Sequence, residues 1–209
     1  MDADLVRRAR GRVVVTALAG AIGHEYDTAT ANGVRHFRTV GADDVVGAPD
    51  ARMDPVGAQQ AVMAARLLVL PGGSPMRLLD ALQHTGVGDL VTDLLQDGGV
   101  VMGASAGAMV LCPWTVLPEQ RSGGVLAVEA GLGLTGDLVV VPHWTGSTGR
   151  DDWLRSIDAS VPTGTSVLGI PEESGVLVEG KVLTAVGSSA THLVHEGREL
   201  APGETWRLL

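Results

Sequence analysis

Short apolar runs of about 4 to 6 residues alternate along the chain with longer stretches of helical period, a rhythm that predicts a parallel sheet with crossover helices. The runs fall at residues 13–17, 35–40, 67–70, 100–103, 138–141 and 167–170. Apart from the more polar 35–40, they lack polar-apolar alternation, as expected of strands covered on both faces. Between them, residues 55–65 follow Asp54 as N-cap, with Pro55 at the first helical position. Residues 75–83 carry Met76, Leu78, Leu79 and Leu82 on roughly one face, and residues 88–96 carry Leu90, Val91, Leu94 and Leu95. After Ile170 the rhythm changes to two short runs, 175–178 and 181–186, around Glu179-Gly180, which predicts an antiparallel hairpin. The expected fold is therefore an α/β three-layer sandwich: a mostly parallel central sheet, helices on both faces, and a C-terminal antiparallel hairpin.

No repeat, low-complexity tract or long linker interrupts the 209 residues, and they are read as a single domain spanning 1–209. Hydrophobic residues make up 45% of the chain against 19% charged, a globular composition built from small side chains. With 15 basic and 24 acidic residues the net charge is −9, so the protein's field repels nucleic-acid backbones and anionic membranes. Neither is expected as a partner. The lone Cys112 forms no intramolecular disulfide and no cysteine-based zinc site, and reads as a small buried apolar residue in a reducing compartment. Arg7, Arg8, Arg10 and Arg12 ahead of the apolar stretch 13–22 superficially copy a secretory leader. Asp2 and Asp4 dilute that charge, and Val13-Val14-Val15 has the β-branching of a first buried strand, so the expected location is the cytoplasm.

Gly103-Ala104-Ser105-Ala106-Gly107 fits the G-x-S-x-G pattern of a nucleophile elbow. In a chain with 29 glycines the pattern alone is weak; its context strengthens it. It follows the apolar run Val100-Val101-Met102 and opens a small-residue helical stretch, 106–112, that Pro113 ends. A serine on such a turn holds strained dihedrals, flanking glycines let strand and helix close, and the helix start offers unpaired amides to an oxyanion. A second glycine turn, Pro71-Gly72-Gly73-Ser74-Pro75, follows the run 67–70, and the backbone N–H of Gly73 is expected to face that of Ala106 as the second oxyanion donor. Of six histidines, His143 alone directly follows an apolar strand, which marks it as the base. Glu172 follows run 167–170 through Pro171 and is expected to be the buried carboxylate that fixes the imidazole tautomer, with Glu173 beside it.

These residues resemble peptidase family S51, the group that contains dipeptidase E and cyanophycinase. The resemblance rests on four segments in the family's order: Leu67-Leu-Val-Leu-Pro-Gly-Gly-Ser-Pro-Met-Arg-Leu-Leu79, Met102-Gly-Ala-Ser-Ala-Gly-Ala-Met109, Val141-Pro-His-Trp144 and Gly169-Ile-Pro-Glu172. It implies a class I glutamine amidotransferase-like α/β fold, with Ser105 as nucleophile, His143 as general base then acid, and Glu172 as orienting carboxylate. It also implies Gly73 and Ala106 as oxyanion amides, a small peptide as substrate, and neither metal nor organic cofactor. Ser74 and Arg150 are its candidates for substrate contact, and a homodimer is left open. Pro71 replaces the first glycine of the family turn, Gln120 stands near a position that is acidic in dipeptidase E, and the loop after His143 is shorter, retaining only Arg150 and Arg155 as cations. Two other readings stay open: an α/β-hydrolase esterase using Ser105, Glu172 and His192 or His195, and a non-catalytic module that binds a small molecule.

Overall fold

The computed structural model describes residues 1–122 and 125–208. The protein is α/β, and the chain divides into two compact units, Met1–Gly107 and Ala108–Leu209. The first unit runs α1 (Asp2–Ala9), β1 (Val13–Val15), α2 (His24–Thr39), β2 (Val45–Gly47), α3 (Pro55–Met63), β3 (Leu67–Leu70), α4 (Pro75–His84), α5 (Val87–Gln96) and β4 (Val100–Gly103), and ends in the first turn of α6 (Ala106–Leu111). Its four strands form one wholly parallel sheet in the order β2-β1-β3-β4, with Val14 paired to both Val46 and Leu68, and Leu68 to Val101. Period-two alternation sends Val13, Val15, Leu67 and Val69 to the face packed by Leu5, Val6 and Ala9 of α1 and by Val34 and Phe37 of α2. Val14, Leu68 and Leu70 on the opposite face are also fully buried. Each such leucine contributes roughly 2 kcal/mol of hydrophobic stabilisation.

Local chemistry sets the helix starts. Asp54 accepts the Gly57 amide at 2.9 Å and Ser74 accepts the Arg77 amide at 3.2 Å, each followed by proline at the first helical position. Of the arginines near the start, Arg7 and Arg8 belong to α1, where both pair with Asp4, before Arg10 turns left-handed and caps the helix. Among the described residues no helix is long and apolar enough to cross a membrane.

One expected strand is corrected. Residues 35–40 are not extended; they form the last turns of α2 and its cap. Tyr26, Thr30 and Phe37 are the buried positions of that helix, spaced i, i+4 and i+11, and this helical period overrides the local β-branched content. The true second strand, β2, is a three-residue edge strand.

The second unit continues α6 into β5 (Trp114–Ser122), β6 (Val125–Ala130), β7 (Leu138–Pro142), α7 (Asp151–Ser160), β8 (Ser166–Ile170), β9 (Ser174–Glu179), β10 (Val182–Gly187), β11 (Thr191–Leu193), β12 (Arg198–Leu200) and β13 (Thr205–Arg207). β7 and β8 are parallel, and β11 and β12 extend that sheet antiparallel in the order β12-β11-β8-β7. Val139, Val141 and Val167 pack with Trp153 and Ile157 of α7 and with Val116 and Leu126 of the β5–β6 hairpin. Leu138, Val140 and Leu168 pack the other way, against Leu183 and Ala185 of β10 and the buried Cys112. The expected C-terminal hairpin is β9–β10. The β5–β6 hairpin and α7 were not foreseen, although Trp153 and Ile157 lie i, i+4 on the buried face of α7.

Candidate active site

In the first unit the candidate residues gather at the carboxyl ends of β3 and β4. Ser105 stands between β4 and α6 with φ of 51°, a left-handed conformation that a serine adopts only when its surroundings enforce it. Two close approaches do so. A Cβ built on Gly107 would lie 2.0 Å from the Leu70 carbonyl oxygen, so only glycine lets α6 start this close to β3. On the other side, a Cβ on Gly72 would lie 3.0 Å from Ser105 Cβ and 3.6 Å from its Oγ. The β3–α4 turn is therefore packed directly beside the serine. Gly73 follows with φ of 143°, and any side chain there would meet the Ala19 carbonyl oxygen at 2.8 Å. Ala106 is fully buried at the first position of α6. Ser74 is buried and uses its hydroxyl oxygen to cap α4, a structural bond alongside its expected place in substrate contact.

In the second unit the candidates occupy the carboxyl ends of the parallel pair β7 and β8. His143 comes directly after β7, also left-handed at φ 53°. The Trp144 amide donates to the Ile170 carbonyl at 3.0 Å, tying the loop after β7 to the end of β8. Arg150 Nη2 donates to the carbonyls of Pro142 (3.1 Å) and His143 (2.9 Å), while its guanidinium lies 5.2 Å from the Trp153 ring centre. The side chain expected to meet substrate thus also braces the strained backbone of His143.

His143 Nδ1 is hydrogen-bonded to Glu172 Oε1. A carboxylate there keeps the proton on Nδ1 and puts the basic lone pair on Nε2. Glu173 is turned elsewhere: its own φ is 56°, its carbonyl accepts the Ser188 amide at 3.0 Å, and its Oε2 accepts the Ser188 hydroxyl at 3.4 Å. One expectation is corrected here. Glu172 is not buried; its side chain is 78% exposed and that of His143 54%, because Pro171 carries the chain out of β8 into an open turn.

Among the described residues four non-glycine residues have positive φ, and three of them are Ser105, His143 and Glu173. Backbone strain therefore concentrates where the candidate chemistry lies. His192 and His195 are engaged differently, with Glu199 at 3.6 Å and Asp158 at 3.1 Å. Among the described residues no three His, Cys, Asp or Glu side chains gather as a metal-ion site. Reading the sequence missed Asp50 and Arg52, a largely buried ion pair in the loop after β2, which no motif or spacing marks.

The family model described as "Peptidase family S51" matches residues 4–186. Peptidase E of Escherichia coli (strain K12 / DH10B) is 27% identical over 165 residues, covering 73% of this chain and 67% of the relative. A solved peptidase from an acI-B1 Actinobacterium superposes with a TM-score of 0.75 at 21% identity, over 99% of this chain and 89% of the other. A putative peptidase E from Listeria monocytogenes EGD-e gives 0.60 at 17% identity, over 86% and 87%.

Proposed function

The chain belongs to peptidase family S51, and from that premise we propose that it hydrolyses peptide or isopeptide bonds in small substrates, in the manner of dipeptidase E, through Ser105, His143 and Glu172. The observation that carries this reading is the conformation of Ser105: a serine held at φ 51° between a strand and a helix, with glycine required at Gly107 and Gly72 packed against its side chain.

In this reading residues 1–209 act as a single peptidase domain. His143 Nε2 accepts the Ser105 hydroxyl proton as Oγ attacks the scissile carbonyl, and the backbone amides of Gly73 and Ala106 receive the oxyanion. His143 then gives its proton to the leaving amine, water attacks the acyl-enzyme with His143 again as base, and the acid product leaves. Glu172, bonded to His143 Nδ1, stabilises the imidazolium formed in each half-reaction. Ser74 and Arg150 are retained as substrate contacts. A net charge of −9 favours small substrates over nucleic acid, and the cytoplasm is the expected compartment.

The test is a panel of unblocked dipeptides of varied first residue, assayed with wild type, Ser105→Ala, His143→Ala and His192→Ala. Ser105→Ala is expected to lose about 10⁴- to 10⁶-fold in turnover, as removal of a triad nucleophile does. His143→Ala should follow it and His192→Ala should not. Turnover retained in Ser105→Ala refutes the serine mechanism; loss in His192→Ala with retention in His143→Ala shifts the reading to an esterase-type order. A wild type that cleaves nothing and takes up no more fluorophosphonate than Ser105→Ala fits the binding module.

A further inference from the structure

We propose that Asp50 and Arg52 are positioning residues for the oxyanion turn, acting through the loop that follows β1; this rests on the serine-peptidase reading above. Arg52 is 14% exposed and Asp50 9%. Their pairing is bidentate: Arg52 Nε donates to Asp50 Oδ1 at 2.8 Å and Nη2 to Oδ2 at 2.7 Å, and the Arg52 amide also donates to Oδ1 at 3.0 Å. Burying two charges strips them of hydration at a cost, and a merely stabilising role could be filled by apolar packing instead. What the pair does specifically is direct the remaining nitrogen. Nη1 donates to the Gly20 carbonyl at 2.9 Å and approaches that of Leu18 at 3.4 Å. Tyr26 completes the support, with its ring 5.8 Å from the guanidinium and its hydroxyl bonded to the Ala48 and Pro49 carbonyls.

The carbonyl between those two does the opposite job. Ala19 O accepts the Ser74 amide at 3.0 Å and Arg77 Nε at 3.2 Å, and it is the atom against which Gly73 is pressed. Three consecutive carbonyls are thus divided: 18 and 20 face Arg52, while 19 faces the Gly73 turn. Any shift of the loop moves the Ala19 carbonyl, and with it the amide of Gly73 and the seat of Gly72 beside Ser105. An arginine is required because its rigid fork binds the carboxylate with two donors and still reaches the carbonyls with a third; lysine has no such fork.

Four proteins test this: Arg52→Lys, the neutral pair Asp50→Asn/Arg52→Gln, Ser105→Ala, and Arg12→Gln as a control at the exposed Arg12–Asp44 pair. Turnover is measured on the dipeptide that wild type cleaves fastest, counted per serine titrated with fluorophosphonate in the proteins that keep Ser105 and per mole of protein in Ser105→Ala, alongside the acylation rate with p-nitrophenyl acetate. A misplaced oxyanion donor lowers transition-state stabilisation and leaves ground-state binding alone. The expectation is a fall of about 10- to 100-fold in both kcat and acylation rate in the two pair variants, with KM held within about two-fold. Arg52→Lys retains the buried positive charge, so the ion pair stays neutralised and the fold is kept. Wild-type kcat per titrated serine in either pair variant overturns the proposal, as does a fall in titratable serine alone, which marks the pair as structural. A rise in KM with kcat unchanged also overturns it. Ser105→Ala with wild-type turnover instead removes the underlying serine reading, and Arg12→Gln is expected to match wild type throughout.

Discussion

Replacing Gly107 with alanine tests the closeness of strand and helix that creates the elbow. The new Cβ would meet the Leu70 carbonyl oxygen at 2.0 Å, where ordinary contact starts at 3.4 Å, so the two must part by about 1.4 Å. Neither side yields easily. The Leu70 oxygen accepts the Ala104 amide at 3.0 Å, and its residue pairs with Gly103 in the sheet. Overpacking of this kind costs about 1–3 kcal/mol, and loss of the Ala104 bond adds about 1 kcal/mol. Against this, alanine is favoured over glycine inside a helix by up to about 1 kcal/mol. The clash wins, with a net destabilisation of about 1–3 kcal/mol, which for a chain of this size lowers Tm by roughly 3–10 °C. The same displacement moves Ser105 by a large fraction of an ångström, enough to reduce fluorophosphonate labelling about 10²-fold. Differential scanning fluorimetry and a labelling time course read the two effects. A variant that melts with wild type and labels at the wild-type rate would show that Gly107 is not required for the turn.

How much of this was legible in the chain depended on which physical signal carried it. Parallel strands write themselves as unbroken apolar runs, so β1, β3, β7 and β8 and even the half-buried β4 are legible, with helix starts given away by Asp54-Pro55 and Ser74-Pro75. The failure at residues 35–40 came from reading a short window in a helix whose buried positions are four and seven residues apart. β2 escaped because three residues at a sheet edge carry too little pattern. The same division holds in the candidate site. Glycine, serine and histidine at strand ends announce themselves, since each answers a local demand on backbone or chemistry. The exposure of Glu172 did not, because burial depends on the path taken after Pro171. Nor did the bonds from Arg52 to Leu18 and Gly20, which join residues 32 and 34 positions apart through backbone carbonyls, groups that every residue possesses.

Two further predictions concern single ionisable groups. Burial pushes the Cys112 thiol up to about 12 from 9.0, against smaller opposing bonds from Thr135 and Val140. The folded state therefore holds its proton between pH 9 and 12 while the unfolded state releases it, so this group's contribution is complete below pH 9 and is lost as pH rises through that window. The native protein should give no colour with Ellman's reagent at pH 8 and one thiol in denaturant; rapid native reaction would contradict the burial. The other concerns the glutamates. Because the His143–Glu172 pair lies open to water, its electrostatic contribution is screened, unlike that of a buried triad carboxylate. Glu172→Gln should therefore lose only about 5- to 50-fold in kcat, far below the roughly 10⁴-fold seen when a buried triad aspartate is amidated. Wild-type kcat should also fall as salt is raised, and the glutamine variant should be indifferent to it. Glu173→Gln, which disturbs only the contact with Ser188, should stay within about two-fold of wild type. A larger loss at Glu173 than at Glu172, or equal salt sensitivity in both proteins, would transfer the orienting role away from Glu172.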